Sequence, residues 1–126
     1  MAAPAAAQNY AVLGANLFGE NVPGGGAGRD ATANFDGEID LTQDQLCYFF
    51  EMDGLRGADG AHIHHAKEGE SGPVVVTLAM PGSAADEVCV TLDKSLLREM
   101  ADHPADYYVD VHSADKPDGA LRGQFG

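Results

Sequence analysis

Residues 45–52 read QLCYFFEM, with Leu46, Tyr48, Phe50 and Met52 on one side and Cys47 and Glu51 on the other. A period of two is what a half-buried β-strand needs, because successive side chains point to opposite faces of the pleat. The stretch at 87–92 repeats it, with Val88, Val90 and Leu92 alternating with Cys89 and Thr91. Working outward, β-branched and aromatic residues gather in six more short stretches: 10–18, 30–40, 61–64, 73–79, 107–112 and 120–125. Between them lie clusters of turn formers: VPGGGAG (22–28), DGLRGADG (53–60), EGESGP (68–73), MPGSA (80–84) and KPDG (116–119). About eight short strands so punctuated predict an all-β fold, an antiparallel Greek-key β-sandwich or barrel. One segment departs from the pattern. DKSLLREMADHP (93–104) carries Leu96, Leu97 and Met100 at helical spacing, with Asp93 as N-cap and Pro104 as a stop. It predicts one short helix over about residues 93–102.

The chain has 126 residues, enough for one domain with a single core. Residues 1–8 read as a flexible N-terminal segment and residues 9–126 as the domain. Seven Lys and Arg against 20 Asp and Glu leave a formal charge of −13. No run approaches the roughly 20 apolar residues that a spanning helix requires. Nucleic acid is excluded as a partner because phosphate binding needs clustered basic residues, and the seven here are scattered. The Ala-rich AAPAAAQ (2–8) contains A-x-A but lacks the basic and long apolar regions of a signal peptide. It fits a mature exported chain whose signal peptide has been removed, or a floppy cytosolic N-terminus. Cys47 and Cys89 are the only cysteines and form no C-x-x-C. They share the non-core phase of their strands, and fit either one structural disulfide or two unrelated thiols.

The histidines carry the chemistry. In AHIHH (61–65), His62 and His64 are two residues apart and project from one strand face. In YYVDVHS (107–113), Val109 and Val111 take one phase while Tyr108, Asp110 and His112 take the other. With Ile63, Val109 and Val111 pointing into the core, His62, His64 and His112 all point away from it. Were the two strands close, the three would form an outward-facing cluster able to hold a metal ion. Neutral imidazoles suit copper and zinc, and no thiolate is placed for a blue-copper centre. Taken singly, an H-x-H pair is often polar decoration, and a histidine at a strand end often satisfies a backbone group. His65 and His103 read as structural or incidental. Asp110 is placed to orient a ligand ring from behind or to occupy an open coordination position. Arg122 reads first as a salt-bridge partner near the C-terminal strand, and second as a group that steers anions. Asp36, Glu38 and Asp40 read as a solvated acidic face. No serine sits in a nucleophile elbow, and VPGGGAG lacks the Lys-Ser/Thr of a phosphate loop.

AHIHHAKEGESGPVVVTL (61–78) and ADYYVDVHSADKPDGALRGQFG (105–126) resemble the chordin-type (CHRD) domain, as do LCYFFEMDGL (46–55) and VCVTL (88–92). The family's hallmarks are an AHIH strand, a Gly-rich loop ending in GPVV, and a terminal segment of the type YYVNVHT…RGQ. Here His65 replaces a usual Gly or Arg, Asp110 stands where Asn is common, and His103 stands where Asn is often found. The resemblance implies export to the periplasm or beyond, and a Cys47–Cys89 bridge. A looser resemblance is to Cu/Zn superoxide dismutase, in which an H-x-H strand, a later V-H strand and a C-terminal Arg come in the same order. The short KEGESGP stretch has no counterpart of that family's zinc loop. Three functions are carried forward. The leading one is an exported protein that binds copper, or less readily zinc, through His62, His64 and His112 for metal storage, delivery or buffering. The second is a metal-free extracellular protein-interaction module. The third is a copper-dependent enzyme of dismutase or oxidase type.

Overall fold

The computed structural model describes residues 9–126; the segment 1–8, read above as flexible, lies outside the described residues. Eight strands follow in order: β1 (Tyr10–Phe18), β2 (Thr32–Asp40), β3 (Gln45–Asp53), β4 (Ala58–His65), β5 (Val74–Leu78), β6 (Val88–Thr91), β7 (Tyr107–Ser113) and β8 (Leu121–Gln124). The helix α1 (Lys94–Asp102) stands between β6 and β7. Each expected strand is present. The largest boundary difference is at β4, which starts three residues early through a bulge between Ala58 and Gly60. A bulge of that kind is where turn-forming residues are tolerated inside a strand.

All neighbouring strands are antiparallel, in the order β5-β4-β7-β8-β1-β2-β3-β6. β1, β2 and β3 form a meander in one half. The chain crosses to the other half for β4 and β5, returns for β6, and crosses again for β7 and β8. Those exchanges give the Greek-key connectivity. The sheet curls into a nearly closed barrel whose two ends, β5 and β6, share no ladder. Tyr48 of β3 spans this seam by donating its hydroxyl to Ala79 O, just past β5, at 2.6 Å.

The inward phases build one core. Phe35 lies at its centre, stacked on Tyr48 at 5.1 Å and edge-on to Phe50 and Phe125 at 5.3 and 5.5 Å. Leu13, Leu17, Ile39, Leu46, Ile63, Val109, Val111 and Leu121 close around them. Each large side chain so buried contributes about 1.5–3 kcal/mol. β1 and β8 approach so closely that a Cβ on Gly123 would lie 2.2 Å from Asn16 O. α1 presses Leu97 and Met100 into the core and ends at His103, whose N–H bonds Glu99 O at 2.9 Å ahead of Pro104. Asp93 holds the N-cap position as expected, but without a side-chain cap. Its carboxylate accepts the Ser95 hydroxyl instead of a backbone N–H, and only its carbonyl joins the helix, through Leu97 N–H.

Cys47 and Cys89 are direct partners in the β3–β6 ladder and form a disulfide. With a sequence separation of 42, the bridge stabilises the fold by about 4 kcal/mol in the chain-entropy view.

Candidate metal centre

The β4–β7 ladder sets the site. It pairs Gly60 with His112, His62 with Asp110, Ile63 with Val109, and His64 with Tyr108. Directly opposed residues share a face, so burying Ile63, Val109 and Val111 delivers His62, His64, Asp110 and His112 together to the outer face. The His62 ring centroid is 6.0 Å from that of His64 and 4.9 Å from that of His112. The Asp110 carboxylate stands among the rings. Its oxygens lie 2.9 Å from His64 Nε2, 3.0 Å from His112 Nε2 and 3.8 Å from His62 Nδ1.

Two loops fix which nitrogens face inward. His64 Nδ1 is 2.9 Å from Gly72 O, and His112 Nδ1 is 2.8 Å from Pro117 O. A carbonyl only accepts, so both Nδ1 atoms carry hydrogen and both Nε2 atoms are left with a lone pair in the neutral ring. In that neutral form the lone pairs face a carboxylate at close range, and the contacts become hydrogen bonds only when a ring takes a second proton. His62 Nδ1, His64 Nε2, His112 Nε2 and Asp110 Oδ1 are all buried without a hydrogen-bond partner. Three convergent acceptors, with His62 Nδ1 as a fourth when the ring carries its hydrogen on Nε2, have nothing to accept while the rings are neutral. A cation among them would satisfy every one at once.

The residues fit such an ion. One donor atom from each of the four lies within 4.8 Å of the others. A tetrahedral shell with bonds of about 2.0–2.1 Å needs donors about 3.4 Å apart, which small side-chain rotations supply. The carbonyls of Gly72 and Pro117 behind two rings are the outer partners that ligating histidines generally have. His64 has its pKa raised above the ordinary 6.5. Burial alone would lower it, but the Asp110 carboxylate and the Gly72 carbonyl more than offset that.

The cluster is less open than an outward phase suggests, because the loops on either side roof it. The side chains of His64 and His112 are only 13% and 18% exposed, and Asp110 as a residue only 6%. Gly72 is what lets its loop come close: a Cβ there would lie 2.0 Å from His65 O. The His64 ring stacks on Tyr108 at 4.6 Å, and the Arg122 guanidinium lies 3.5 Å from the centre of the same Tyr108 ring. Arg122, 5% exposed, donates to Glu70 O and to Ser71 Oγ at 3.3 Å, and so grips the loop that carries Gly72. The expected salt bridge is absent: among the described residues Arg122 pairs with no carboxylate, although Asp110 is its register partner. The Glu70 carbonyl and the Ser71 hydroxyl satisfy the guanidinium instead. His65 and His103 stand outside the cluster. His65 stacks on Tyr107 at 4.6 Å, and His103 closes α1. Sequence reasoning passed over the two loop carbonyls and the role of Tyr108; the only hints were the Gly and Pro of the loops and Tyr108's phase.

An antiparallel β-barrel with a histidine–carboxylate cluster on its outer face defines the class of domain. The chain belongs to the CHRD domain family, which it matches over residues 13–125. CHRD is an extracellular-type β domain, and the Cys47–Cys89 disulfide fits that setting. No curated protein and no solved structure matches the chain, so the looser likeness to Cu/Zn superoxide dismutase rests on residue order alone. Among the described residues no helix is long and apolar enough to cross a membrane.

Proposed function

We propose that this domain is an exported metal-binding protein that holds one copper ion, with zinc as the alternative, through His62, His64 and His112. Asp110 serves as a fourth donor, and the role is storage, delivery or buffering of the metal in the periplasm or outside the cell. The observation that carries the reading is the set of four buried, unpartnered donor atoms converging on one point. A metal-free network could pair these atoms only by protonating the rings of His64 and His112 onto Asp110, and it would still leave His62 Nδ1, 3.8 Å from the carboxylate, without a partner. Copper is favoured over zinc because the Irving–Williams order places Cu²⁺ above Zn²⁺ at a given nitrogen and oxygen site. The formal charge of −13 draws cations toward the domain in general.

Calorimetric titration with Cu²⁺ and Zn²⁺, with anomalous diffraction from the loaded crystals, tests the reading. One equivalent of metal centred between His62, His64 and His112 is the expected result. No stoichiometric uptake, or uptake unaltered by His112→Ala, overturns it and leaves the interaction-module reading in its place.

A further inference from the structure

The three histidines are not held alike. His64 is tied to Gly72 O and lies flat on Tyr108, while His112 is tied to Pro117 O. His62 has no hydrogen bond among the described residues. Its ring meets those of His64 and His112 only steeply tilted, at 80° and 73°. Its side chain is 30% exposed, against 13% for His64 and 18% for His112. It is also the ring nitrogen farthest from Asp110, at 3.8 Å.

The two flanks of the cluster differ in the same sense. His64 and Asp110 line a cleft with Pro23, Tyr108 and Arg122. His62 lines a separate cleft with Asp59, Gly60, Thr77 and Pro117, and His112 borders both. Thr77 of β5 is the register partner of His62. Gly60 stands opposite His112, and a Cβ built on it would meet nothing within 4 Å. The flank beside His62 is therefore open, and its mouth carries the exposed carboxylate of Asp59.

A bound ion changes hands by ligand substitution, in which one protein donor yields while the others hold. The donor that yields first is the one with no outer partner fixing its ring. We infer that His62 is the exchange ligand, and that the ion enters and leaves through the cleft bounded by Gly60 and Thr77. An incoming nitrogen or oxygen donor takes the position His62 vacates while His64, His112 and Asp110 retain the ion. The exchange is a ligand substitution that leaves the oxidation state of the metal unchanged. The inference rests on the metal-binding reading above.

The test uses the full chain loaded with one equivalent of Cu²⁺ and mixed with excess free L-histidine as acceptor, the visible absorption of the protein-bound metal being followed by stopped flow. Gly60→Leu and Thr77→Trp each narrow the His62 cleft, and Pro23→Trp narrows the other. The first two variants are expected to slow transfer severalfold at unchanged equilibrium affinity, while Pro23→Trp matches the parent. Transfer indifferent to both Gly60→Leu and Thr77→Trp, or slowed by Pro23→Trp alone, overturns the route and leaves the metal reading standing. Failure of the parent chain to load copper at all overturns both.

Discussion

His112 Nε2 stands 3.0 Å from Asp110 Oδ1 on the same face of β7, while the other nitrogen of the ring is committed to Pro117 O at 2.8 Å. In the neutral ring this sets a lone pair against a buried carboxylate oxygen that has no hydrogen-bond donor. Electrostatic cost in the empty protein and affinity for a cation thus have one source.

Asp110→Asn is the direct check. An amide can donate to a ring nitrogen, so at a pH where the rings are neutral the metal-free variant should be more stable than its parent by about 1–3 kcal/mol, the cost of a buried unsatisfied group. The same change should cut the rise in melting temperature produced by copper. A denaturant series with and without the metal reads both effects, and a metal-free variant less stable than the parent would count against the account of Asp110.

The three histidines of the cluster should separate cleanly from the others. His62→Ala, His64→Ala and His112→Ala should each weaken copper binding severely with little change in the fold, since their rings lie outside the core. His65→Ala and His103→Ala should leave the affinity close to the parent value. Calorimetry on the five variants decides it.

Gly72→Ala should act on the metal without touching a ligand. The added methyl collides with His65 O and displaces the carbonyl that holds His64. Loss of such an outer partner costs about 10–100-fold in metal affinity. Melting the metal-free variant alongside separates this from general destabilisation.

The response to pH should have opposite signs in the two forms. The pKa of His64 is raised in the folded protein, so its contribution to the metal-free fold is fully present below the ordinary 6.5. That contribution is lost as the pH climbs through the raised value. Metal binding needs the ring neutral, so affinity should fall as the pH drops through the same window. Melting curves across it, with and without copper, should move apart as the pH rises.

How much of this was legible beforehand can be traced residue by residue. Alternation at Leu46, Tyr48 and Phe50 sufficed for the strand and its buried face, because a period of two is local. The outward phases of His62, His64 and His112 were equally local. So was the phase of Asp110 beside His112, but its place among all three rings was not: that depends on the β4–β7 register, which pairs residues far apart in the chain. The anchors of His64 and His112 were invisible for a different reason. They are main-chain oxygens, and any residue carries one. Arg122 looked like an ion-pair partner because charge is readable in sequence, whereas the Glu70 carbonyl that occupies it is not.

The disulfide should matter for stability and not for the metal. Cys89→Ser should cost about 2–5 kcal/mol, with copper affinity unchanged, because the bridge ties β3 to β6 while the cluster is carried by β4 and β7. Denaturation and titration of the same preparation test the two halves of that statement.

The seam between β5 and β6 adds one more consequence. A barrel left open along one line has two edges from which it can unravel, and here they are fastened by different chemistries. β6 is bolted covalently to β3 through Cys47 and Cys89. β5 hangs on β4, the strand that brings His62 and His64 to the cluster. On the proposed reading, a reductant frees one edge and a chelator frees the other, so amide hydrogen exchange should speed up first in β6 under the former and in β5 under the latter.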